Sequence, residues 1–135
     1  MILVVCVDDS MGMLFNKRRQ SQDKALREHI LSMTENTRLW MNHYSARQFA
    51  TDPAPKVNID DHFLSEAAPG EYCFAEDVDV SRYEQWMEKI ILYKWNRTYP
   101  GDLYFGIDLS NWHLIETLDF PGSSHENITM EVYVR

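Results

Sequence analysis

Apolar residues recur along this chain with two different periods. Between 128 and 134 they alternate, with Ile128, Met130, Val132 and Val134 on one side and Thr129, Glu131 and Tyr133 on the other. Period two is the signature of a strand with one buried face. Residues 111–119 predict a second strand, and Phe120, Pro121, Gly122, Ser123 and Ser124 predict the loop between the two, so this region reads as an antiparallel hairpin. Ile2-Leu3-Val4-Val5-Cys6-Val7 is instead an unbroken apolar run rich in β-branched residues. It predicts a strand buried on both faces, hence central in a largely parallel sheet. Ala25, Leu26, His29, Ile30 and Met33 follow the helical period and predict an amphipathic helix over 22–33. Ser21 is its expected N-cap, and Asp23 falls in the first turn, where the helix dipole favours an anion. Arg38-Leu39-Trp40-Met41 then predicts a short second strand, completing a βαβ unit with a right-handed crossover.

The rest of the chain is less regular. Residues 8–13 predict a turn and loop, and residues 14–20, which carry no period, a mobile loop. Ser45 predicts the cap of a short helix running to about Phe49. From 50 to 69 the chain is weakly organised around Pro53, Pro55 and Pro69, with a brief strand at 56–59. A strand follows at 71–75, a helical turn or two at 81–88, and a strand at 89–95. Together these predict one α/β domain over 1–135: a mixed, mostly parallel sheet with flanking helices on both faces and a C-terminal antiparallel hairpin.

Composition narrows the function classes. A net charge of −8 argues against nucleic-acid binding, since a phosphate backbone selects a basic surface. The two cysteines, Cys6 and Cys73, lie in apolar runs and read as buried free thiols. The apolar run at 2–7 is too short for a membrane span or signal peptide and is followed by two aspartates, which places the expectation in the cytoplasm with no membrane association. The five histidines show no metal-ligand spacing, and no Ser-His-Asp signature, G-x-S-x-G or P-loop is read from the sequence.

Several stretches, in order, resemble the dihydrofolate reductase family. Val4-Val5-Cys6-Val7-Asp8 resembles its first strand, and Met11-Gly12-Met13-Leu14-Phe15-Asn16 the flexible loop after it. Arg38-Leu39-Trp40-Met41-Asn42-His43-Tyr44-Ser45 resembles the second strand and cofactor turn. Gly101-Asp102-Leu103-Tyr104-Phe105, Asp108, Trp112 and residues 130–135 resemble the family's closing segments. The matched pieces cover about two thirds of the chain. The resemblance implies the family's α/β fold, NADPH as cofactor and a pterin or folate as substrate. It implies Asp23 as the acid that binds the pterin and supplies a proton, an activity that a raised carboxyl pKa between apolar walls would serve. It also implies Ser45, His43 and Tyr83 along a cofactor site.

The sequence departs from the family at defined points. Arg18-Arg19-Gln20-Ser21 stands where a Leu-Pro-Trp segment belongs. Asn42-His43 replaces the Gly-Arg of the cofactor turn. Ala75-Glu76-Asp77 replaces the Gly-Gly pair that lets backbone approach the phosphates, and two carboxylates there would repel a pyrophosphate. Tyr93 occupies the position of the threonine that supports the catalytic acid. Two functions are therefore expected: a divergent NADPH-dependent reductase, or a member of the fold that has lost hydride transfer and binds a small molecule or a protein partner. Asp60, Asp61, Glu76, Asp77 and Asp79 read as a solvated acidic face; Glu76, Asp77 and Asp79 also follow a strand end, so any crevice that persists there is expected to be acidic.

Overall fold

The computed structural model describes residues 1–50 and 57–135; Pro53, Pro55 and Lys56 of the weakly organised stretch lie outside the described residues. Strands β1 (Ile2–Val7), β4 (Leu39–Met41), β5 (Val57–Ile59), β6 (Tyr72–Phe74), β7 (Lys89–Lys94), β9 (His113–Phe120) and β10 (Ile128–Val134) form a seven-stranded sheet in the order β5-β4-β6-β1-β7-β10-β9. β1 pairs in parallel with both β6 and β7, as its two-sided apolar run requires. β10 runs antiparallel to β7 and to β9, so the predicted hairpin is present with its second strand inserted next to β7.

The two faces of β1 feed two cores. Leu3, Val5 and Val7 pack with Phe63, Val80, Met87, Ile90, Leu92 and Trp112 on one side of the sheet. Ile2 and Val4 pack on the other with Leu26, Ile30, Phe49, Phe74 and Tyr93. Helices α1 (Lys24–Met33) and α2 (His43–Phe49) cover the second face, through Leu26 and Ile30 and through Phe49. Each such fully buried aliphatic side chain contributes about 1.5–3 kcal/mol. The first face carries α3 (Phe63–Glu66) and a 3₁₀ helix at Val80–Trp86, where a helical turn or two was expected at 81–88. No helix among the described residues is long and apolar enough to cross a membrane.

Three local expectations are corrected. Residues 14–20 are not a mobile loop: β2 (Gly12–Phe15) and β3 (Arg18–Arg19) form a tight hairpin, and β8 (Leu103–Tyr104) pairs with β2 to make a second, three-stranded sheet. Asn16 and Lys17, at φ 51° and 62°, supply the two left-handed residues of a two-residue turn. The Asn16 and Asp102 backbone N–H groups tie the tip to the next segment, donating to Asp102 Oδ2 (3.0 Å) and the Leu14 carbonyl (2.9 Å). The N-cap of α1 is Asp23, not Ser21: its carboxylate accepts from the Leu26 N–H at 3.3 Å. The N-cap of α2 is Asn42, whose side-chain oxygen accepts from the Ser45 N–H at 3.0 Å, and this puts Ser45 inside the first turn.

β9 closes one end of the large sheet and is solvated on both faces, leaving Leu114, Ile115 and Leu118 exposed. A bulge between Val132 and Tyr133 in its ladder with β10, together with Glu116 and Asp119, marks this as an edge protected against pairing with another chain.

Candidate functional site

Four parallel strands deliver polar residues to the same end of the sheet. Asp8 follows β1, Asn42 follows β4, Glu76 and Asp77 come just after β6, and Trp95 follows β7. In open α/β sheets this is the end where ligands bind. Asp8 is committed to the backbone. Its Oδ1 accepts from the Ser10 and Gly12 N–H groups at 3.0 and 2.8 Å, and its Oδ2 accepts from the Tyr99 N–H at 2.9 Å. At Gly12 a Cβ would lie 2.5 Å from Gln20 Nε2 and 3.0 Å from Asp8 Oδ1, so a larger residue would make the end of the Gln20 side chain move.

Asp23 is the centre of a buried array. Its side chain is 1 % exposed. Besides capping α1, it accepts from the Ser123 N–H (2.9 Å), the Ser124 N–H (2.7 Å) and His125 Nδ1 (2.9 Å). Burial by itself would raise the Asp23 pKa. The His125 hydrogen bond and the three backbone N–H groups outweigh it and bring the value down to about 2. This overturns the expected raised pKa: Asp23 has donors around it rather than apolar walls, and it is an anion at neutral pH. His125 stacks on Trp95 with ring centroids 4.6 Å apart. With Asp23 ionised, Nδ1 is the nitrogen that donates to the carboxylate, and Nε2 is turned away. It faces two hydroxyls, Ser21 Oγ at 3.0 Å and Tyr99 Oη at 3.1 Å.

A second cluster lies beside the first. The β2–β3 hairpin carries Arg19 across to the end of β6, where its Nε and Nη2 donate to Glu76 Oε2 (2.9 Å) and Oε1 (3.2 Å). Gln48 Nε2 donates to Glu76 Oε2 at 2.9 Å from α2. The Arg19 guanidinium sits 4.5 Å from the centroid of the Tyr44 ring, and its Nη2 reaches the Tyr44 carbonyl. Glu76 is 7 % exposed. Its burial raises its pKa, and the Arg19 hydrogen bond and charge oppose that without reversing it. For Arg19, burial disfavours the charge, yet the Glu76 carboxylate more than compensates and holds the guanidinium pKa above its ordinary value.

Between these clusters, and between the start of α1 and the last turn of α2, lies an open groove of about 530 Å³. Arg19, Lys24, Arg27 and Arg47 line it, with Asp23 and Ser124 at its floor. Four basic side chains line it, of which Arg19 is paired with Glu76 and Lys24 lies 3.9 Å from Glu28, so the lining is rich in positive groups although the whole chain carries −8. The expected acidic crevice is therefore corrected. Glu76 is paired with Arg19, Asp77 accepts from Asn42 Nδ2 at 2.8 Å, and Asp79 caps the 3₁₀ segment by accepting from the Ser81 N–H at 3.1 Å.

The other expected site residues scatter. Ser45 is 0 % exposed, and its hydroxyl makes no hydrogen bond, although it lies near enough to Glu76 to help lower that carboxyl's pKa. His43 is solvent-exposed, with Nδ1 2.9 Å from Asp61 Oδ1. Tyr83 lines a hollow of about 330 Å³ with Met1, Leu64 and Trp86, at the opposite, N-terminal end of β1. Thus Asp23 borders the groove, while His43 and Tyr83 do not. Arg19 and Gln48, which meet at Glu76 and line the groove, and Ser21, Tyr99 and His125, which meet beside Asp23 without lining it, carry no local sequence pattern. Ser21 and His125 are 104 positions apart.

No family model matches this chain, and no curated protein matches it by sequence. Among solved structures it is similar to the dihydrofolate reductase of Enterococcus faecalis complexed with NADP(H) and RAB-propyl, with a TM-score of 0.71 and 12% sequence identity. That superposition covers 99% of this chain and 95% of the other. The architecture is the dihydrofolate reductase fold; an identity this low speaks to fold alone.

Proposed function

We propose that this chain binds a small anionic molecule in the groove between α1 and α2 and does not perform NADPH-dependent hydride transfer. One observation carries the reading: the ion pair of Glu76 with Arg19 occupies the strand end where the reductase family keeps a Gly-Gly pair. A dinucleotide phosphate there would meet a buried carboxylate already satisfied by Arg19 and Gln48. Displacing the carboxylate would strand a desolvated charge, at a cost of about 3–5 kcal/mol. Ser45, the phosphate contact a reductase would need, is buried beneath the same cluster. Asp23, as an ion saturated by four donors, has no proton to give at neutral pH and no free lone pair directed at a substrate. The groove is left open, and its basic lining suits carboxylates or phosphates.

The fold itself favours the competing reading, a pterin or folate reductase with Asp23 as acid and His43, Ser45 and Tyr83 along NADPH. Thermal unfolding of the wild-type protein separates the two. Citrate and inorganic pyrophosphate, matched for ionic strength against chloride, are expected to raise the melting temperature saturably. At a hundredfold excess over Kd the rise is roughly 5–10 °C. NADPH, NADH, folate and dihydrofolate are expected to leave it unchanged. A saturable shift with NADPH that persists when citrate is present would restore the reductase reading.

A further inference from the structure

We propose that Ser21 is an acyl-accepting nucleophile, activated by His125 and oriented through Asp23, so that the protein hydrolyses a small acyl ester. The arrangement is a hydrogen-bonded series. Asp23 Oδ2 lies 2.9 Å from His125 Nδ1, and His125 Nε2 lies 3.0 Å from Ser21 Oγ. Both distances fall within the reach that a nucleophile, base and orienting group require. The ends of the series differ in the way the chemistry needs. Asp23 is buried and fixed by three backbone N–H groups, and His125 is 5 % exposed and held flat against Trp95, whereas Ser21 is only half-buried. A buried anion, an imidazole held flat on Trp95 and a half-buried hydroxyl within its reach are more than a helix cap needs. The cap requires only the Leu26 N–H, and docking of residues 123–125 requires only the Asp23 bonds; neither uses Ser21. Tyr99 Oη lies 3.1 Å from the same His125 Nε2 and 3.5 Å from Ser21 Oγ, so its hydroxyl becomes free to donate to an oxyanion only once that nitrogen has taken the Ser21 proton.

The step balances with water as co-reactant. Ser21 Oγ attacks the ester carbonyl while His125 Nε2 takes the hydroxyl proton. The carbon–oxygen bond to the leaving group breaks, and the imidazolium returns the proton to the departing alkoxide. Water, deprotonated by the same nitrogen, then attacks the Ser21 ester, releasing the acid and regenerating the hydroxyl. The nucleophile assignment stands on this geometry alone. The substrate class, an ester bearing a carboxylate or phosphate, rests on the anion-binding reading of the adjacent groove, which Asp23 and Ser124 border.

The decisive experiment uses the unmodified wild-type chain. It is incubated with a fluorophosphonate, and the adduct is located by intact mass and peptide mapping. One adduct at Ser21 is expected, absent from Ser21→Ala, and formed at least tenfold faster at pH 8 than at pH 5. No adduct, or an adduct confined to other residues, overturns the proposal. Ser21→Cys gives a second readout: beside His125 its thiol should be alkylated by iodoacetamide at pH 6.5 at least tenfold faster than free cysteine, and an ordinary rate counts against activation. Hydrolysis of paired neutral and anionic p-nitrophenyl esters then tests the substrate class separately. Ser21 labelling without a preference for the anionic ester keeps the nucleophile and rejects the anion-binding groove.

Discussion

Replacing Asp23 by asparagine should destabilise the fold by an amount that depends on pH. In the native protein Oδ1 accepts from Leu26 and Ser123, and Oδ2 accepts from Ser124 and His125. An asparagine in the same place keeps one acceptor oxygen and turns an NH₂ toward two donors. At least one buried N–H then loses its partner, which costs about 1–3 kcal/mol. The ionisation term can be worked separately. Asp23 is held at about 2 against an ordinary value of 3.8. That difference of just under two units, at about 1.4 kcal/mol each, amounts to about 2.5 kcal/mol. Since the folded-state pKa is the lower one, this stabilisation is fully present above the unfolded value and is lost as pH falls from about 4 through 2. Asparagine does not titrate, so its deficit should follow the same curve. Urea unfolding of both proteins between pH 2 and pH 7 measures it. The expected deficit is about 2–4 kcal/mol at pH 7, shrinking by about 2 kcal/mol toward pH 2. A deficit that is constant across this range would show that Asp23 is not the low-pKa acceptor described here, and the structural account of the array would fall.

Other substitutions follow from the same geometry. In Gly122→Ala the new Cβ would lie 2.7 Å from Asp23 Oδ2 and 2.8 Å from the His125 carbonyl, both pinned, so a loss of about 1–3 kcal/mol is expected by urea unfolding, and a neutral result would mean the loop is free to shift. Arg19→Ala strands Glu76 and should cost about 3–5 kcal/mol at pH 8. The Glu76 pKa is already raised, and a carboxyl with a raised folded-state value loses stability as pH rises through it. The Arg19→Ala deficit should therefore be smaller at pH 5 than at pH 8, and the reverse order would refute the pairing. Tyr93→Phe removes the hydroxyl 2.6 Å from His29 Nδ1 and should lower stability by about 1 kcal/mol, read as a fall in the urea midpoint with an unchanged slope.

How much of this was legible in the sequence depends on the distance over which each feature is encoded. The β1 run, the α1 period and the alternation at 128–134 are local patterns, and the structure follows them. The resemblance carried in the segment order led to the right fold, although no single stretch is strongly matched. The β2–β3 hairpin was hidden because its turn uses Asn16-Lys17 where glycine is the usual signal for left-handed residues. Both helix caps were misread by two or three positions, since Ser21, Asp23, Asn42 and Ser45 are all competent caps and only the fold decides among them. The site was the least legible part. Arg19 entered only as part of a segment standing where the family has Leu-Pro-Trp, and residues 120–124 only as the loop between two strands. Each acquires its role only when residues more than fifty positions apart meet.

The position of β10 sets an order on assembly. It is the latest strand in the chain, yet it fills an interior slot, between β7 and β9. Until it inserts, β9 has no partner, and β7 presents an open edge. The flanking core side chains Ile91 and Tyr93 then have no cover from Val132 and Met130, their cross-strand neighbours. The same insertion brings the preceding loop to α1, because His125 lies three residues before β10 begins. A nascent or truncated chain lacking this strand would therefore display an aggregation-prone sheet edge and would also lack the reactive array. Completion of the sheet and completion of the site are one event, so a partly folded population of this protein should be chemically silent as well as sticky.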